Sequence, residues 1–364
     1  MLIVHINVNA KVTGKCANCH TMHNSQNGSA MARQLNSSYT GFENDTTPNA
    51  ALLISDCLGC HSSTDSNEDI SSVGAPIVFS TSGPQFGFDD GTYKHGLAGG
   101  NFYWVRTDDT KGHNVFSDNP DNNLNEAPGR TGGCNGSNSC HIELHNSTNP
   151  NQFGFTSQRQ GCTKCHMISN SDAPQGFHHL DDTGPIIDSD AEGWYRFLTG
   201  HNNNEGASGI EDSDWQSSYD ADDHNEYRGY SGNKSAYGGF SALADTMTAY
   251  CTGCHGEFHE QDTTVIGASP WIRHPSDSVI PDSGEYSAYT TYDPQAPVAR
   301  PVLSAIGDSS QVRPGTDMVM CLSCHRPHGS PYPDMLRWNY NNMVAGGSGS
   351  GGCFTCHTQK NQTP

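Results

Sequence analysis

The 364-residue chain has the length of roughly two ordinary domains, but only 33% of its residues are hydrophobic, Leu, Ile, Val and Phe together number 55, and the net charge is −21. That combination marks disorder in an ordinary sequence, so side chains alone would make a poor core. The acidic balance excludes nucleic acid as a partner, which needs a basic stripe, and no apolar run reaches the 18 residues that would suggest a membrane span.

Residues 1–15 alternate apolar and polar from Val4 to Val8, which predicts a short strand carrying His5. The opening Met1-Leu-Ile-Val-His-Ile is too short for an export signal and lacks its charged start, so the expected form is the mature chain of an exported precursor. Residues 16–61 hold Cys16-x-x-Cys19-His20-Thr-Met-His23, a Ser/Asn-rich spacer, and then Cys57-x-x-Cys60-His61.

Residues 62–133 lack such a unit but carry His95-Gly-Leu-Ala-Gly-Gly-Asn-Phe-Tyr-Trp and Lys111-Gly-His113, where glycines allow backbone to approach a flat group closely. Residues 134–166 hold Cys134-x5-Cys140-His141, then His145, then Cys162-x-x-Cys165-His166. Between 167 and 250 the sequence offers Phe177-His178-His179, with His201 and His224 as weaker ligands. The carboxylate-rich run at 211–224 lacks the spacing of a calcium loop and reads as a solvated acidic loop.

Residues 251–320 hold Cys251-x-x-Cys254-His255, His259, and His274 set between Trp271 and Pro275. The chain closes with Cys321-x-x-Cys324-His325-Arg-Pro-His328, a Gly-rich spacer and Cys353-x-x-Cys356-His357. This repeats the layout of 16–61, so a paired unit opens and closes the chain.

Six C-x-x-C-H units and one C-x5-C-H unit use all 14 cysteines. C-x-x-C-H is the attachment signature of c-type haem. Two thiols three residues apart lie on one side of a helical turn, where they can form thioethers with the two vinyl groups of a porphyrin, and the next residue, His, lies under the iron. The proximal ligands are then His20, His61, His141, His166, His255, His325 and His357. Zinc would gather two such pairs around one ion, a thioredoxin-like motif would occur once, and a disulfide scaffold would not need the repeated His. Cys134 and Cys140 also fit a short disulfide loop, so the expected cofactors are seven haem c groups, or six if that unit is not a haem site.

Of 19 His, twelve remain after the proximal set, enough for a second His on every iron. His95, His113, His179, His259 and His274 are the distal candidates by position and setting. Iron held by two His has no site for substrate, and no C-x-x-C-K unit marks an open one, so the chain reads as an electron carrier rather than an enzyme. The expected fold is mostly irregular, with short helices and few short strands, organised around stacked haems. It forms a single domain in three parts: 1–66 with a haem pair, 67–250 with two haems, and 251–364 with three.

The doubled C-x-x-C-H motif resembles the multihaem cytochrome c family, in which the extra His serves as a distal ligand; the resemblance implies that role for His23 and His328. More broadly the chain is similar to the extracellular multihaem cytochromes of metal-reducing bacteria, with GGNFYW, SPWIRHP and PHGSPYPDMLRW as supporting phrases. That resemblance implies an extracellular or cell-surface location, with the periplasm as second choice. It also implies redox partner proteins and acceptors such as metal oxides or electrodes. Some members polymerise with a haem ligand donated by the next subunit, which makes copies of the same chain an expected partner and His5 the candidate donor. A monomeric carrier and, more distantly, a multihaem reductase are the alternatives.

Overall fold

Glycine and proline interrupt the chain so often that no element grows long. In a computed structural model, the described residues are 12, 14–46, 52–84, 88–89, 92–93, 96–116, 144, 161–166, 177–180, 184–199, 206–230, 245–252, 255, 274, 276–303 and 310–361. Among them the longest α-helix, Met247–Thr252, has six residues, and the strands have two or three. The expected fold class is the observed one: mostly irregular chain with short helices and few short strands. His5, His95, Cys134, Cys140, His141, Cys254 and His259 lie outside the described residues.

The helical turns sit on the cysteine motifs. Cys16–Asn18, Gly161–Lys164 and Cys321–Ser323 are 3-10 turns, while Cys57–His61 and Cys353–Cys356 are α-helical, and Met247–Thr252 runs into Cys251. In five of these turns the motif His donates its backbone N–H to the carbonyl of the first Cys: His20 to Cys16 at 2.8 Å, His166 to Cys162 at 2.9 Å, His255 to Cys251 at 3.0 Å, His325 to Cys321 at 3.1 Å and His357 to Cys353 at 3.0 Å. One helical turn brings residues four apart onto the same side, which is the geometry the spacing requires.

One five-stranded sheet organises the C-terminal half. Its order is Ser278–Val279, Met318–Val319, Ala299–Arg300, Glu226–Arg228, Gly209–Ile210, antiparallel except where Tyr227 pairs with Ala299. It draws strands from both sides of residue 250. The apolar interior is divided among three small clusters rather than one core. The first is built on Tyr195, Tyr227, Met318 and Met320, the second on Phe79, Phe102, Val105 and Phe116, and the third on Ile280, Tyr289, Tyr292 and Val298. Such a division follows from the scarcity of Leu, Ile, Val and Phe.

The terminal pairs are clamped alike. Cys19 O accepts from Ile54 N at 2.8 Å and Thr21 N donates to Leu52 O at 2.8 Å, bridging His20 to Leu53. Near the other end Cys324 O accepts from Arg337 N at 2.9 Å and Arg326 N donates to Met335 O at 2.8 Å, bridging His325 to Leu336. The repeat legible in the cysteine spacing is thus also a repeat of backbone pairing.

Candidate functional site

Burial first fixes the chemical state of the histidines. Desolvation lowers the pKa of His61, His113, His166 and His325, and it brings His178 down to about 4 and His328 down to about 3, with neighbouring imidazoles adding to the effect. These rings are neutral near pH 7, the form that ligates a metal.

Second, backbone carbonyls fix the tautomer. Nδ1 of His61 lies 2.9 Å from Pro76 O, that of His113 3.0 Å from Pro327 O, that of His166 2.8 Å from Arg196 O and that of His325 2.8 Å from Asp334 O. A carbonyl only accepts, so Nδ1 carries the proton and Nε2 keeps its lone pair. His357 is held similarly, with Nδ1 at 3.3 Å from Glu285 Oε1.

The folded chain then faces these rings with others from distant parts of the sequence. Ring centroids are 6.0 Å apart for His20 and His179, 6.0 Å for His61 and His178, 6.0 Å for His113 and His255, 5.9 Å for His166 and His328, and 6.4 Å for His274 and His357. A metal between two imidazoles needs two bonds of about 2 Å plus about 1 Å from each nitrogen to its ring centre, or about 6 Å in all. The five separations fit that demand, and each pair contains one motif His.

His179, His113, His274 and His328, all expected as distal candidates, therefore lie opposite motif histidines. His178 also takes such a place, although sequence reasoning counted a single ligand from Phe177-His178-His179; the signal available was the doublet itself, which can serve two neighbouring sites. His23 is exposed at φ 57°, and no described histidine faces it. Among the described residues none faces His325 either. The buried His224 instead stacks on Tyr292 at 3.4 Å, and its Nδ1 lies 2.9 Å from Asn225 O. The acidic run is partly consumed internally: Asp212 accepts from Gln216 N at 2.8 Å, and Glu211 pairs with Arg196 at 3.5 Å.

A glycine-lined cradle holds His328. Its N–H donates to Gly99 O at 2.8 Å, and its ring stacks on Phe102 at 4.7 Å. Gly100 has φ +88°, and a Cβ there would lie 2.1 Å from Gly329 O. The GGNFYW phrase thus positions a histidine from the opposite end of the chain. Gly100→Ala is expected to destabilise the fold by about 1–3 kcal/mol through overpacking and left-handed strain, read as a lower thermal midpoint.

None of the eleven described cysteines is in a disulfide. Burial pushes Cys324 and Cys356 up to about 12, so both are neutral. Thiols of different motifs also meet: Cys57 contacts Cys162, and Cys251 contacts Cys321. Among the described residues no helix is long and apolar enough to cross a membrane.

The doubled CXXCH motif family is matched over residues 313–362. C-type cytochrome OmcS of Geobacter sulfurreducens is 26% identical over 393 residues, covering 89% of this chain and 78% of the relative. The outer membrane cytochrome S filament from the same organism superposes with a TM-score of 0.51 at 20% identity, covering 91% of this chain and 85% of that one, and so shares the fold. With helical turns on its C-x-x-C-H motifs and imidazoles facing across them, the chain is similar to the multihaem c-type cytochromes.

Proposed function

We propose that this chain carries electrons along a row of bis-His haems outside the cell, as one subunit of a polymer. Bound haem supplies one-electron redox chemistry; the chain supplies its attachment, ligands and order. The observation that carries the reading is the set of five facing histidine pairs. Two protein ligands on each iron favour electron transfer over substrate binding.

Contacts between motifs support a linear order. Cys60 lies near Cys19, Cys57 touches Cys162, Tyr250 beside Cys251 donates its hydroxyl to Cys165 O at 2.7 Å, Cys251 touches Cys321, and Cys324 lies near Cys353 and Cys356. On this reading the sites follow one another as His20/His179, His61/His178, His166/His328, His255/His113, His325 and His357/His274. The first two sites also share one short segment, His178-His179.

Polymerisation is favoured by His325, the one motif histidine in this order without a described partner. His5 from a second copy would complete its site. Exposed apolar side chains lie at both ends of the row, Met22 (62%) with Leu52 (46%) beside the first turn and Tyr340 (68%) with Val344 (57%) before the last. The cytochrome S relative of known structure is a filament.

The test is intact-mass haem counting combined with electron paramagnetic resonance of the native protein. Seven haems, all low-spin in the assembled form, are expected, with Cys134, Cys140 and His141 holding the seventh; six would return Cys134 and Cys140 to a disulfide loop. A permanently high-spin iron in intact assemblies that binds nitrite or carbon monoxide rapidly would overturn the electron-carrier reading in favour of a reductase.

A further inference from the structure

Among the differences between the two clamped turns, one lies at the residue that donates to the second motif cysteine. Where the N-terminal clamp has Ile54 donating to Cys19 O, the C-terminal clamp has Arg337 donating to Cys324 O. Arg337 is 1% exposed, and its guanidinium donates only to carbonyls: Leu322 O at 2.6 Å, Pro294 O at 3.3 Å and Ala98 O at 3.4 Å. Leu322 is inside the attachment motif itself. Two other arginines are neutralised by carboxylates, Arg300 by Glu226 and Asp317 and Arg196 by Glu211. The carboxylate acting on Arg337 is that of Asp293, whose Oδ1 is engaged by Tyr219 Oη and by Gln295 N at 2.8 Å. A guanidinium keeps its charge at any ordinary pH, so a cation without a hydrogen-bonded anion stands buried beside the Cys321/Cys324/His325 site.

We propose that Arg337 sets the potential of this site, raising the reduction potential of the haem held by Cys321, Cys324 and His325 above that of the haem held by Cys16, Cys19 and His20. The inference rests on haem attachment at both motifs. Ferric haem carries one more positive charge than ferrous, so a nearby cation disfavours the oxidised state, and low dielectric strengthens the effect. At the equivalent place Ile54 carries no charge. The row therefore slopes between these two sites, with electrons favoured at the His325 site over the His20 site. A purely structural clamp would give the same hydrogen bonds without this slope.

Spectroelectrochemical titration of the native holoprotein and three variants, with haem content measured alongside, tests the idea. Arg337→Gln should retain every haem and make one transition about tenfold harder to reduce, a shift of about 59 mV downward. Arg337→Lys, which keeps the charge and loses the fork, should leave that transition near its native value. Asp293→Asn should move a transition upward. An unchanged titration of fully loaded Arg337→Gln, or an equal fall in Arg337→Lys, would overturn the proposal. If Arg337→Gln does not fold, Asp293→Asn decides, and a midpoint that stays or falls sinks it. Unmodified Cys321 and Cys324 in the native protein would instead refute the attachment reading.

Discussion

His328→Ala is expected to convert one iron in the middle of the row to a high-spin form that binds carbon monoxide, while His23→Ala leaves the spectrum unchanged. The two residues occupy the same place in C-x-x-C-H-x-x-H, so local sequence gives them equal standing. Their surroundings differ. His328 is half-buried against Phe102 with its ring 5.9 Å from that of His166, whereas His23 is exposed. Loss of His328 also removes the ring that stacks on Phe102. Resonance Raman spectroscopy of both variants gives the comparison. An altered spin state in His23→Ala, with none in His328→Ala, would reverse the ligand assignment.

The second large effect is expected from His5→Ala. If His5 completes the His325 site of a neighbouring copy, the variant keeps its full haem count, fails to form filaments in electron micrographs and gains one high-spin iron in the dispersed subunit. The histidine then acts as a junction: the ligand bond that closes the site also joins two subunits. Normal filaments from His5→Ala would remove the trans-ligand idea and leave His325 to be served from within its own chain. Added imidazole separates a ligand defect from a folding defect, because it should restore the low-spin spectrum of dispersed His5→Ala without restoring filaments.

Candidate attachment motifs were legible in the sequence because C-x-x-C-H is a local device. One helical turn suffices to place two thiols and an imidazole, and the described motifs form such turns, with backbone from further along the chain clamping those at Cys19 and Cys324. The irregular fold was legible for a related reason: a chain with 40 Gly, 19 Pro and few large aliphatic residues sustains neither long helices nor a continuous core. The repeated terminal pair was visible as spacing, but its matched backbone clamps join residues 35 and 13 apart and appear only in the folded chain.

Tertiary structure alone decided which histidine faces which. His179 reaches His20 across most of the first half of the chain, and His328 meets His166 rather than its own neighbour His325; nothing in spacing encodes either choice. The doublet His178-His179 faces two motif histidines because adjacent side chains diverge, and exposed His23 faces none among the described residues. Likewise Arg337 reads in the sequence as one of 18 basic residues. Only folding places it, buried and held by carbonyls, at the position its repeat partner Ile54 fills with an apolar side chain. Sequence fixes what must be written within one turn, while ligand pairing and local field depend on contacts between segments far apart, which form only when the chain closes on itself.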